Sequence, residues 1–341
     1  MITLPLFTAQ LVLFSADTYN AALRTTSALE RLPDAAGMQL YLSLHYVGSE
    51  GGAAEPGDAG PGGPPPALRS LSEEQFRALF RRLLPPETLR PIAEGFFGSL
   101  FAAAGGSRDP VTVSFGALKE RFGSGAAVDA YIELMRAQPP CTDAQLQALL
   151  AKGVTELPTC RPPDAVVDQL RPALQVTLAG VVEGIPDQQN MTETLSPQVV
   201  STLQTTRTVL LLSPLVPIFF LLLTIAFGSR TRRGMLRWWG VVLALGGGAV
   251  GAFALALPSF FDQRWDGSLA PSVPPYWSPT LVGIGHDVAI AIVAAFATAL
   301  AIVSGVVALV GIVSLVVAAR LGRQAAVPEP APSAGGVEPN S

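Results

Sequence analysis

Cys141 and Cys160 are the only cysteines in this 341-residue chain, and His45 and His286 the only histidines. A site built on a thiolate or an imidazole must therefore draw on these four residues. The cysteines bracket a short predicted helix, and neither has a second Cys or a His nearby to make up the four ligands that structural zinc takes. A disulfide closing about 18 intervening residues, worth roughly 3 kcal/mol in the chain-entropy description, is favoured over free thiols. His286 precedes Asp287 and could form a pH-sensitive pair with it. A polar residue marking a helix start at an interface is the simpler reading. Glu73 and Glu74 adjoin each other in the first turn of a predicted helix, where negative charge suits the dipole, so their role reads as capping. No HExxH, GxSxG, GxxxxGK or GxGxxG arrangement occurs. The expectation is a non-enzymatic protein with no catalytic residue, cofactor or metal site.

The elements that carry these residues follow from composition. The chain is 49% hydrophobic and 14% charged, with a mean hydropathy of +0.42, too apolar for an ordinary soluble protein. Of its 48 charged side chains, 36 lie between residues 15 and 207. The remaining 134 residues carry 12, which places the membrane part there. A net charge of −4 gives no sign of nucleic-acid binding. Arginine outnumbers lysine 20 to 2, a bias that reads as genomic composition.

Residues 1–14 are apolar but reach only about 21 Å as a helix, short of a hydrocarbon core of roughly 30 Å. They read as the end of an uncleaved signal-anchor, in preference to a cleaved signal peptide, because no basic n-region precedes them. From Ser15 the pattern turns amphipathic, with Tyr19, Leu23, Ala28, Leu29 and Leu32 on one side. Residues 48–67 form a linker dense in Gly and Pro, read as a disordered spacer. Ser72 and Gln75 make a capping-box pattern ahead of Phe76, Leu79, Phe80, Leu83 and Leu84, and Pro85 and Pro86 end that helix. Further helices are predicted from about Glu87 to Gly105–Gly106, over Ser114–Phe122 and over Ala126–Ala137. Others follow from Thr142, with a second capping box to Gln145, and from Asp164 to near Gly184. The last begins at Ser196–Pro197. The spacing predicts an all-α fold in which residues 15–207 form an extracytoplasmic helical domain.

Three apolar runs follow. Residues 208–228 and 238–257 carry no charge over 21 and 20 positions, enough to span a bilayer. Between them, residues 229–237 hold Arg230, Arg232, Arg233 and Arg237 without an acid, which by the positive-inside rule makes this loop cytoplasmic. Residues 258–287 then form an outer loop with Trp265, Tyr276 and Trp277. The run 288–319 has 32 uncharged residues, about 48 Å as a helix, so its first turns must project and only its C-terminal part cross. Leu281, Ile284, Val288, Ile292, Phe296 and Leu300 form a stripe suited to packing on the outer domain. Arg320 and Arg323 mark the inner end, and residues 324–341 read as a disordered cytoplasmic tail.

Gly247 and Gly251 form GxxxG, and Ala291, Ala295 and Ala299 place small residues every fourth position. Both patterns imply close helix packing, within one chain in preference to between chains. Pro214 and Pro217 could hinge the first span, although prolines are common near a span entrance. None of the three spans contains an ionisable residue to carry a proton or ion path.

The segments ERLP at 30–33, LLPP at 83–86, PPC at 139–141 and CRPP at 160–163, with an LSPLVP span entrance and an Arg-rich RWWG loop, carry a resemblance. Together they resemble uncharacterised bacterial multi-pass membrane proteins with an extracytoplasmic helical domain carrying two cysteines. The resemblance covers about residues 15–260. It implies topology and the paired cysteines and transfers no functional residue. The expected function is an interaction or sensing role in the cell envelope, exercised through the outer domain. The lipid bilayer is one partner, and an envelope or membrane protein is the other. The alternative is an oligomeric transport or lipid-handling component.

Overall fold

The computed structural model describes residues 3–50, 71–107, 109–152, 160–191, 197–213, 215–216, 219–220, 222–223, 232–274 and 276–324. Residues 48–50 of the expected 48–67 linker are helical, a correction at its start, and the rest of it, Pro214, Pro217, Arg230, much of the 208–228 run and the tail beyond residue 324 lie outside the described residues. Nearly all the described residues are helical. In chain order the elements are α1 (Thr3–Leu13), α2 (Ala16–Thr25), α3 (Ala28–Glu50), α4 (Glu73–Leu83), α5 (Pro86–Ala104), β1 (Thr112–Ser114), α6 (Gly116–Gly123) and α7 (Ala126–Arg136). Then come α8 (Asp143–Lys152), α9 (Asp164–Gly184), β2 (Gln188–Asn190), α10 (Pro197–Leu212), α11 (Arg232–Arg264) and α12 (Pro279–Gln324). The chain divides into two compact units: a larger one of residues 11–208 with 258–295, and a smaller one of 1–10, 209–257 and 296–341.

The larger unit is organised around α3. The amphipathic pattern from Ser15 is not one helix, because α2 stops at Thr25 and α3 restarts at Ala28. Thr25 and Thr26 donate their hydroxyls to the Ala22 carbonyl, at 3.1 and 2.8 Å, competing with the helical ladder. Ser27 takes a positive φ of 50°, which re-aims the chain. One side of α3 receives α4 so closely that a Cβ on Gly37 would sit 2.9 Å from the Phe76 carbonyl oxygen. Phe76 is fully buried, and Asp34 accepts a forked pair of bonds from Arg81, which holds that guanidinium's pKa above its usual value. The capping box at the start of α4 forms as its spacing predicts, with Ser72 and Gln75 bonding each other's backbone N–H at 3.3 and 2.8 Å.

α5 ends in a turn at Gly106, whose φ of +89° suits only glycine. Its last carbonyls find donors on α10: Gln204 donates to Ala103 O at 3.2 Å and Arg207 to Phe101 O at 3.4 Å. Phe97, Phe101 and Tyr19 stack along the α2–α5 contact, with ring centroids 4.8 to 6.5 Å apart.

The helix expected over Ser114–Phe122 is corrected at its start. Thr112–Ser114 is a strand, antiparallel to Gln188–Asn190 with Val113 opposite Gln189, and the helix begins at Gly116. Three residues are too few to show a period of two in sequence. Ser99 of α5 pins the strand by accepting from Thr112 N–H at 3.3 Å and donating to Thr112 O at 3.1 Å.

A second core joins Val128, Ile132 and Met135 of α7, Leu149 of α8, and Val167, Leu170 and Leu174 of α9. Tyr131 packs at its edge, where burial pushes the phenol pKa up. Cys141 and Cys160 form a disulfide beside it, with an S–S distance of 2.07 Å. The same two segments exchange backbone bonds, Cys141 N–H to Arg161 O at 3.0 Å and Arg161 N–H to Pro139 O at 2.7 Å. Thr142 and Gln145 complete the second capping box at the head of α8.

The outer loop expected over 258–287 is also corrected. α11 continues through Pro258 to Arg264, a π turn spans Trp265–Leu269 and a 3₁₀ turn Ala270–Ser272, and α12 starts at Pro279. Apolar composition marks where a bilayer can be crossed. It does not mark where helical hydrogen bonding stops.

Two helical stretches, Gly234–Ser272 and Pro279–Leu321, are long and apolar enough to cross a membrane. In the smaller unit α11 and α12 run antiparallel with their backbones almost in contact. A Cβ on Gly247 would lie 2.7 Å from Ser304 O and Ala308 N, and one on Gly311 would lie 2.4 Å from Ala244 N. At Gly240 the added carbon would meet Leu315 Cγ at 2.6 Å, and at Gly251 the Ser304 hydroxyl at 3.2 Å. The seam is therefore Gly240, Ala244, Gly247 and Gly251 against Ser304, Ala308, Gly311 and Leu315, repeating every four and three residues on both helices. Gly248, one step round the helix, faces open space.

Two outcomes follow from these contacts. Replacing both cysteines by alanine should lower stability in thermal or urea unfolding by about 3 kcal/mol, and a reducing agent should reproduce the loss in the parent chain but not in the variant. Gly247→Val should destabilise the detergent-solubilised protein by about 1–3 kcal/mol through overpacking, whereas Gly248→Val should leave its unfolding temperature nearly unchanged.

Candidate functional site

The side chains with chemical potential converge where α3 meets the first turns of α12. Ala28 and Ala35 of α3 pack with Ile284, flanked by Leu23, Leu281 and Val288. Polar contacts run down the same antiparallel seam. Gln39 accepts from the Ser278 N–H at 2.8 Å and donates to the Tyr276 carbonyl at 3.0 Å. The fully buried Ser278 in turn caps α12 by accepting from Leu281 N–H at 3.1 Å. Met38 adds a softer contact, its Sδ lying 3.7 Å from the Thr280 hydroxyl and 3.4 Å from Arg77 Nη2 of α4. At the far end of the seam Arg31 donates to Asp287 at 2.5 Å.

His286 sits beside that pair. Its Nε2 is 3.0 Å from Asp262 Oδ1 of α11, its Nδ1 is 3.6 Å from Asp287 Oδ1, and its ring lies 5.1 Å from that of Trp265. Each ring nitrogen thus faces a different carboxylate, and one of those carboxylates is shared with Arg31. These contacts form an electrostatic bracket joining α3, α11 and α12. Among the described residues no three His, Cys, Asp or Glu side chains group as metal ligands. Arg31, Asp287 and Asp262 are each partly open to solvent, which keeps the individual pairs weak.

The other residues singled out in sequence are dispersed. Cys141 and Cys160 form the disulfide that ties the segment before α8 to the segment before α9. His45 Nδ1 donates to Tyr41 O of its own helix at 2.8 Å, and its ring packs on the Tyr41 ring. Arg232 and Arg233 open α11, and Arg237 is exposed in its second turn. Gly247 and Gly251 line the α11–α12 seam, whereas the α12 residues they meet are Ser304 and Ala308. Ala295 is exposed, and Ala291 and Ala299 are half-buried. Sequence reasoning missed Arg31, Gln39, Asp262 and Ser278. The available signal was the four-and-three spacing of Arg31, Ala35 and Met38, which recurs at Thr280, Ile284 and Asp287.

Charge exchange tests the bracket. Arg31→Asp and Asp287→Arg should each lower the unfolding temperature, and the double exchange should recover part of the loss, with a coupling of about 0.5 kcal/mol in a double-mutant cycle.

Comparison with known protein families, curated proteins and solved structures finds no match.

Proposed function

We propose that this chain is a multi-pass membrane protein whose larger helical unit lies outside the membrane and binds or senses a component of the cell envelope. The observation that carries the reading is the surface of α11 and α12. Leu255, Trp238 and Leu245 are 78, 72 and 71% exposed, and Ile302 and Leu309 are 64 and 63% exposed. Apolar side chains bared along most of α11 and the later turns of α12 are unfavourable in water and neutral in hydrocarbon. Ser304, the buried hydroxyl in the seam, donates to Ala301 O of its own helix at 3.1 Å, as a polar group in lipid must.

Sidedness is supported by the acid-free arginines Arg230, Arg232, Arg233 and Arg237, which favour the cytoplasm. The Cys141–Cys160 disulfide belongs on the opposite, oxidising side. A sensing role is supported by α12, a single helix of 46 residues whose first turns hold the α3 bracket and whose later turns form the apolar seam. Occupancy of the larger unit that displaced α3 would pull on Ser278 and Asp287 and so on that helix. The alternative, an oligomeric transport or lipid-handling component, would use the same bared faces to join copies.

Single cysteines introduced at Ser49 and Gly234, with the native pair left oxidised, test the topology. In intact cells a membrane-impermeant maleimide should label position 49 and spare position 234; labelling of 234 alone would invert the model of insertion. Crosslinking after detergent extraction should capture one envelope protein on a monomer, whereas a symmetric homo-oligomer with ion or lipid flux would select the alternative.

A further inference from the structure

The arginines that sequence analysis used only as topology markers are brought together by the antiparallel seam. Gly240 lies level with Leu315, since a Cβ there would touch the leucine side chain. Arg237 is three residues before Gly240, about 4.5 Å along the axis, and Arg320 is five residues past Leu315, about 7.5 Å. Both therefore stand at the same end of the pair, within about 3 Å of one level, and both are exposed. Arg232 and Arg233 at the start of α11, and Arg323 near the end of α12, extend the same rim by backbone position.

No carboxylate balances this charge nearby in sequence. Neither residues 194–261 nor residues 288–328 contain an Asp or Glu. Among the described residues the ion pairs all involve other arginines, Lys119 or His286. Just inside the rim the surface becomes apolar, with Trp238 72% exposed, Val242 52% and Val317 42%. An occupant must satisfy both belts. A soluble anion meets the arginines and leaves the apolar belt bare; a phosphate carried on acyl chains meets both.

We infer that the arginine rim of the α11–α12 pair binds the headgroup phosphates of anionic phospholipids. Arginine is suited to this role because its planar guanidinium bonds phosphate oxygens in pairs. Trp238, directly following Arg237, seats at the same headgroup level. The inference rests on the membrane reading above and deepens it, from crossing a bilayer to selecting lipid of one charge class.

The test uses the full-length protein in lipid nanodiscs. Trp265→Phe and Trp277→Phe leave Trp238 and Trp239 as the only tryptophans, reporting from the rim. Phosphatidylcholine or phosphatidylglycerol, brominated high on the acyl chain, is then titrated as quencher in mixed discs. Brominated phosphatidylglycerol should quench the more strongly, and its relative affinity should fall about fivefold for each arginine removed in Arg237→Gln and Arg320→Gln. Arg237→Lys with Arg320→Lys should retain most of the preference, which separates loss of charge from loss of fold. Equal quenching by the two lipids, or a preference indifferent to both Gln substitutions, overturns the inference while leaving insertion intact. Abolition of the preference by soluble glycerol 3-phosphate assigns the rim to a free anion and also overturns it. A chain that does not enter the discs overturns the membrane reading together with it.

Discussion

The larger unit depends on α3 being packed on two sides at once. Along one face Gly37 lets α4 approach to backbone contact and Asp34 grips Arg81. Along the other, Arg31, Ala35 and Gln39 meet Asp287, Ile284 and Ser278, residues more than 230 positions away in sequence. Each polar contact is modest alone, because the charged groups are partly hydrated. Their effect is register. With an ion pair at one end and a capped helix start at the other, the apolar stripe between them has one alignment that satisfies both.

The same long-range contact explains the form of α12. Its first turns carry Leu281, Ile284 and Val288 as a stripe because they bury it against α2 and α3. Its later turns bare apolar side chains around most of their circumference, apart from the narrow line that meets α11. One helix thus has two hydrophobic patterns for two environments, an amphipathic one where protein covers one side and an all-round one where it does not.

Local features were legible in the sequence, and partners were not. Both capping boxes, the breaks at Pro85–Pro86 and Gly105–Gly106, and the α9 limits follow from residues a few positions apart, where backbone satisfaction is decided locally. The cysteine pair was legible because two cysteines allow one pairing. The break at Ser27 was hidden because the apolar spacing runs across it, and the small sheet because three residues show no period. Helix beyond Leu257 was hidden for a different reason: hydropathy reports solvent, whereas Pro258–Arg264 stays helical through its own hydrogen bonds. Of the candidate site, His286 and Asp287 were visible as neighbours, yet the residues that face them, Asp262 and Arg31, lie on other helices. The glycine face of α11 was likewise visible, while its counterpart on α12 was sought at Ala291, Ala295 and Ala299 instead of Ser304, Ala308 and Gly311.

The glycine seam also sets a rule for how this sequence can drift. Where two backbones pass with less room than one methyl group, as at Gly311 against Ala244, neither position can change independently. Enlarging one side forces the helices apart over their whole contact and strips packing from every other step of the ladder. Divergent descendants of this chain should therefore vary freely at outward positions such as Gly248 and Gly305, and hold Gly240, Gly247 and Gly311 small or exchange bulk across the seam in compensating pairs.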